Sequence, residues 1–417
     1  MPQSPVDTEK MVIAQKMVAW LFRDNDLSLS ASEWARLLWT TIIKRNRPFS
    51  QCFFDALSQK ISASFADSNL SDVKKDLLFY NALSYLAFAN PQAGQALTIK
   101  GINYTIEKIK LTSGWLSAPY YAYGLHASTD PNAQSYLIFQ GTTTPSDNGF
   151  LSGILADSRP NGAVGTQLYA RGQKKIQQWI DQEHARTHKR VVCTGQSLGG
   201  AMSLHAYIHQ PNKVDFFVVN PPSLTSREKR IYENQQHEPL SDKDVRILKV
   251  VSHTNDPVWT LGSCYLPKGT EVCRHGDKNE NNIMAHARAP YCGAQSPEYQ
   301  FVPHEYSQPV KNRYWKTLKP FLFIGACILH AIAWPMRLAI QSTHAVSEFL
   351  AKLKNNQSSA VAEKESSYSL MNALQPTGSK KDLEPDHTHP LLSKPSPQPI
   401  DEADETLDEN PQHRPGT

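Results

Sequence analysis

The six residues Gly195-Gln196-Ser197-Leu198-Gly199-Gly200 follow an apolar run that begins at Arg190 and precede the helix-forming stretch AMSLHAYIH at 201–209. A strand that turns straight into a helix leaves little room beside the bend. A Cβ at either flank would crowd the neighbouring strand or helix, so Gly195 and Gly199 answer a steric demand. This order predicts a strand, a sharp turn and a helix, with Ser197 held out of the fold at the positive end of the helix.

A bend of this kind needs a sheet to sit on, and the surrounding sequence supplies one. Runs rich in β-formers occur at YTIEKIKL (104–111), YYAYGLHA (120–127), SYLIFQG (135–141), RVVCTG (190–195), VDFFVVN (214–220), RILKVVSH (246–253) and TEVCRHG (270–276). Helical stretches at 165–186 and 197–209 lie between strand candidates, which predicts a sheet with helices packed on its faces. Continuous Val, Ile and Phe runs suit strands buried on both sides. The expected fold class is α/β.

Four segments are expected. Residues 1–95 read as a helical module: Ser30 to Glu33 has the capping-box pattern, and LSDVKKDLLFYNALSYLAF (70–88) repeats apolar residues three and four apart. Residues 96–310 form the α/β core. Residues 311–354 hold an apolar helix, PFLFIGACILHAIAWPM (320–336), which has no Lys, Arg, Asp or Glu and follows KNRYWKTLK. It is slightly short for a hydrocarbon core of about 30 Å, which leaves three readings: membrane insertion, burial against the sheet, or a lid. Residues 355–417 turn to Ser, Pro and charge, end in an acidic block, and read as a disordered tail able to take a protein partner.

Composition excludes several classes. Lys plus Arg number 43 against 39 Asp plus Glu, so no clustered basic surface for nucleic acid is implied. The six cysteines show no metal-type spacing. Cys264 and Cys273 read as free thiols, with pairing in an oxidising compartment as the alternative. The first 24 residues carry charges through their apolar positions and no continuous apolar stretch, so synthesis in the cytosol without a signal peptide is expected.

A serine hydroxyl is a poor nucleophile until a base takes its proton and an acid orients that base. Asp256 sits in SHTNDPVW (252–259), straight after a strand run, where a loop can turn its carboxylate toward a histidine; the plain alternative is an Asp-Pro turn. Eight histidines follow Asp256. Most fall in the tail, the apolar segment or a strand, leaving His286 first and His304 second as base. For the oxyanion, Gln140-Gly141-Thr142 ends the strand run SYLIF; Thr142 and the N–H of Leu198 are the expected donors.

FQGTT (139–143), TGQSLGGA (194–201) and NDPV (255–258) resemble the class 3 lipases, the fungal-lipase-like α/β-hydrolases. The resemblance covers about residues 100–305. It departs where Gln196 stands for the family's usual His, where Gln140 stands for Arg, and where the VHxGF segment survives only loosely as VGTQLY (164–169). It implies an α/β-hydrolase core, a Ser197–His–Asp256 triad, no cofactor, no metal, and hydrolysis of a lipid carboxylic ester at a membrane surface. The helical front, apolar segment and acidic tail also resemble lipase-like proteins that intracellular bacteria export into host cells. The alternatives are a degraded lipase-like scaffold that tethers a membrane or partner, and a thioesterase or acyltransferase on the same fold.

Overall fold

The computed structural model describes residues 50–112, 119–142, 163–235, 246–276, 278, 285–286, 290, 292, 296–305, 321, 324, 328, 346 and 350. The Ser30–Glu33 pattern and the 355–417 tail lie outside them. The chain divides into two compact units, Met1–His344 and Ala345–Thr417. In the second, the described Val346 and Leu350 are helical and exposed.

The first unit is a mixed α/β fold around one nine-stranded sheet whose strands lie in chain order. The strands are β1 (Ala96–Ile99), β2 (Ile102–Lys110), β3 (Tyr121–Ala127), β4 (Tyr136–Phe139), β5 (Val191–Gln196), β6 (Val214–Val219), β7 (Leu248–His253), β8 (Glu271–His275) and β9 (Val302–Pro303). β1 to β4 pair antiparallel, β4 to β8 parallel, and β9 antiparallel to β8. Every residue of β4, β5 and β6 is buried, as expected of parallel strands covered on both faces, whereas β2 interleaves exposed and buried positions.

Strand order dictates where the helices go. Right-handed crossovers between strands that advance in one direction lay their helices on the same face. Helices α3 (Thr166–Thr187), α4 (Leu198–His209) and α5 (Ser226–Glu233) accordingly share one apolar layer with Leu137, Phe139, Cys193, Phe216, Val218 and Val250 of the sheet. In that layer Trp179 of α3 fits because β3 carries Gly124, where a Cβ would lie 2.4 Å from the indole. Its Nε1–H donates to Glu107 at 2.8 Å.

Among the described residues no crossover helix packs on the opposite face, and the N-terminal helices lie there. α1 (Gln51–Ala66) and α2 (Asp72–Leu86) pack Phe54, Leu57, Leu77 and Leu83 onto Tyr136, Ile138, Val192, Phe217 and Val251. The Tyr80 ring stacks on Phe217 with centroids 4.3 Å apart. Beside them the Thr194 hydroxyl donates to the Phe217 carbonyl at 2.6 Å, which leaves the Ser84 hydroxyl to donate to Thr194 at 2.7 Å. Residues 51–86 therefore form an outer layer of the sheet itself.

The seven β-rich runs coincide with β2 to β8. β1 and β9 carry no comparable pattern, being four and two residues long at the sheet edges. The described cysteines Cys52, Cys193, Cys264, Cys273 and Cys292 are all free thiols. Phe321, Ile324 and Ile328 are helical and at least half exposed, so these three side chains of the apolar segment are not packed into a core. Among the described residues no helix is long and apolar enough to cross a membrane.

Candidate active site

The carboxyl ends of the parallel strands β4 to β8 gather along one sheet edge, the place where open α/β sheets present their loops to ligands. At the end of β5 the backbone of Ser197 takes φ 56° and ψ −122°, a left-handed conformation unusual for a residue with a side chain. Its N–H donates to Val219 O at 3.0 Å, which ties the bend to the neighbouring strand. α4 begins at the next residue.

The flanking glycines are needed at close quarters. A Cβ on Gly195 would lie 2.6 Å from the carbonyl carbon of Gly199, and one on Gly199 would lie 2.3 Å from Phe139 O. The turn after β4 is equally tight: a Cβ on Gly141 would sit 2.8 Å from Gln196 O and 2.9 Å from the Phe88 ring. The Tyr120 hydroxyl donates to Gln140 O and holds that turn from behind. Thr142, half-buried, follows directly, so the threonine turn and the bend stand side by side. Leu198 is buried at the first position of α4, where a backbone N–H has no acceptor within its own helix.

Three predicted residues meet here. Asp256 ends the turn after β7 and caps a 3-10 turn at Pro257–Leu261 by accepting from Val258 N–H at 2.9 Å. Both of its carboxylate oxygens face His286 Nδ1, at 3.0 and 3.1 Å. His286 Nε2 lies 2.8 Å from Ser197 Oγ. A carboxylate only accepts, so the proton rests on Nδ1 and the Nε2 lone pair is left to accept from the serine hydroxyl. The Asp256 side chain is fully buried, whereas that of His286 keeps 22% of its surface open. Burial lowers the pKa of Arg274, with Cys264 and Asp256 partly opposing it, and its guanidinium lies 4.8 Å from the Trp259 ring.

His304, the second-choice base, is elsewhere. Its Nε2 approaches Cys264 O at 3.3 Å, its ring meets Trp259 edge-on, and burial pushes its pKa down. Asp215, at the start of β6, pairs with Arg246 at 2.8 Å. His275 lies in β8 with its ring against His253.

The chain matches no protein-family model and no curated protein. Among solved structures it is similar to a triacylglycerol lipase whose catalytic centre is described as a serine protease triad. The identity is 14% over 45% of this chain and 78% of that one, with a TM-score of 0.28.

Two residues around His286 escaped sequence reasoning. Gln196 reads from sequence only as a departure from a motif, and Asn220 only as the end of a strand run; both are buried and both bond to the backbone of His286. The one available hint is the NPP sequence at 220–222, since Asn tolerates the left-handed backbone found at Asn220, φ 46°. Among the described residues no cluster of three or more His, Cys, Asp or Glu side chains could hold a metal ion.

Proposed function

We propose that this chain is an α/β-hydrolase that cleaves carboxylic esters of lipids through an acyl-enzyme. The observation that carries the reading is the unbroken line from Asp256 through His286 to Ser197, with contacts of 3.0 and 2.8 Å. In the reaction Ser197 Oγ attacks the acyl carbonyl carbon while His286 Nε2 takes the hydroxyl proton. Asp256 holds the ring and stabilises the imidazolium without itself being protonated. The oxyanion is held by the Leu198 N–H and by Thr142. As the carbon–oxygen bond to the alcohol breaks, His286 returns the proton to the leaving oxygen. Water then repeats the sequence and releases the acid.

Support for a lipid substrate is chemical. The motif resemblance points to lipid esters, and the exposed Phe321, Ile324 and Ile328 put apolar surface just after the Lys-, Arg-, Trp- and Tyr-bearing 311–319 stretch, a composition suited to an interface. Membrane association, export into a host cell and a protein partner for the acidic tail belong to the same proposal.

A fluorophosphonate probe tests the reading. The full chain is expected to label, and Ser197→Ala to abolish both labelling and ester hydrolysis. A folded chain that takes up no probe overturns it in favour of a non-enzymatic scaffold. Product analysis with thioesters and alcohol acceptors separates a hydrolase from a thioesterase or acyltransferase.

A further inference from the structure

Two buried carboxamides converge on one backbone oxygen beside the candidate base. Gln196 Nε2–H donates to the His286 carbonyl at 3.0 Å. Asn220 Nδ2–H donates to the same oxygen at 2.9 Å and to Ala285 O at 3.3 Å. A carbonyl oxygen has two lone pairs, so this pair of donors uses its capacity. The donors come from the carboxyl ends of adjacent strands, β5 and β6. Asn220 is itself locked, since its N–H donates to Val251 O at 2.7 Å and its Oδ1 accepts from His253 N–H at 2.9 Å.

The arrangement has a geometric consequence. The direction in which an imidazole leaves its backbone is set by the position of its own peptide, and the His286 peptide is tied to the strand that carries the nucleophile. Gln196 immediately precedes Ser197, so one stretch of backbone holds the nucleophile and the anchor of its base. We propose that Gln196 and Asn220 are positioning residues, a two-strand clamp that aims His286 between Asp256 and Ser197. Its catalytic consequence rests on the serine-hydrolase reading. Gln196 thus has a function of its own where the resembled family carries His: a neutral amide that donates at every working pH, where an imidazole would titrate.

The test uses the full chain labelled with 15N-histidine, in which the Nδ1 proton of His286 is assigned by its loss in His286→Gln. Gln196→Met keeps a similar shape and removes the donor, Gln196→Leu serves as a second variant should the first not fold, and Gln196→His restores an N–H. Thermal unfolding establishes that each is native. In the donor-less variant the Nδ1 proton is expected to exchange with water at least about tenfold faster, and kcat to fall by about ten- to a hundredfold at unchanged KM. In Gln196→His both return most of the way. An unchanged Nδ1 proton, an effect confined to KM, or a His variant no better than Met overturns the clamp. If the proton responds as expected while wild type takes up no fluorophosphonate, the hydrolase reading fails and the clamp geometry stands; if wild type labels and the proton is indifferent, the reverse holds.

Discussion

At residue 256 a carboxylate faces both an imidazole and a backbone N–H, and the two contacts do different work. The bond from Val258 N–H fixes the carboxylate, while the pair to His286 Nδ1 fixes the tautomer of the ring. Asp256→Asn keeps the shape but offers the imidazole an amide, which favours the wrong tautomer. It is expected to lower kcat for ester hydrolysis by about 10³–10⁴-fold in steady-state assays, with the unfolding midpoint little changed. His286→Ala should abolish turnover, and His304→Ala, whose ring meets Trp259 and Cys264 O, should stay near wild type; equal losses in the two would sink the assignment. Gly199 belongs to this scale as well. With Phe139 O only 2.3 Å from an added Cβ, and the other near atoms also backbone of Phe139 and Gln140, nothing can yield cheaply. Gly199→Ala is expected to cost at least about 1–3 kcal/mol in urea unfolding.

Among the elements, α1 and α2 contribute no residue to the chemistry of the site, yet α2 packs against the strands that carry it. They pack on the sheet face opposite the described crossover helices. Through Ser84 and Tyr80, α2 contacts Thr194 of β5 and Phe217 of β6, the strands on either side of the bend's N–H bond to Val219. Phe54, fully buried in α1, is a suitable probe. Phe54→Ala should lower stability by about 3–5 kcal/mol, read from the urea midpoint, because the cavity opens between two layers that have little freedom to collapse. A loss within the range of an exposed substitution would mean that this layer is only loosely held. α5 shows how an element is tied to its neighbours: its capping residue Thr225 and Glu228 satisfy each other's backbone, and Glu228 also accepts from Thr166 at the start of α3.

At the scale of the whole molecule, described histidines outside the site contribute to the response to acid. Burial pushes the pKa of His205, His209 and His304 down, with Glu228 partly opposing this at His205. In the unfolded chain each takes up a proton near pH 6.5; in the folded chain it resists until lower pH. Below about pH 6.5 the unfolded state therefore binds more protons, and stability falls as pH drops toward the lowered values. Glu228 is also held below its usual pKa: its burial acts upward, but His205 and the hydroxyls of Thr225 and Thr166 outweigh it, so its contribution is lost in the same direction at still lower pH. The Tm is expected to be several degrees lower at pH 5 than at pH 7.5. His205→Gln, which keeps a donor for Val164 O, should flatten the slope, and an identical slope in that variant would count against this origin.

Local chemistry was enough to read β2 to β8, helices α3 and α4, the bend at Ser197 and the loop position of Asp256, because each depends on neighbours in the chain: apolar period, turn glycines, and the step from strand to helix. The histidine was legible only as a choice between two, since no local pattern separates His286 in its loop from His304 beyond β9. Strand order made the difference, bringing the helical pair Ala285 and His286 to the ends of β5 and β6, where Gln196 and Asn220 take hold of the His286 carbonyl. The apolar spacing at 70–88 was enough to read α2, but not the sheet face on which it packs. Hydrogen bonds and packing between residues 66 to 110 positions apart leave no periodicity in a sequence, so they exist only once the sheet has assembled.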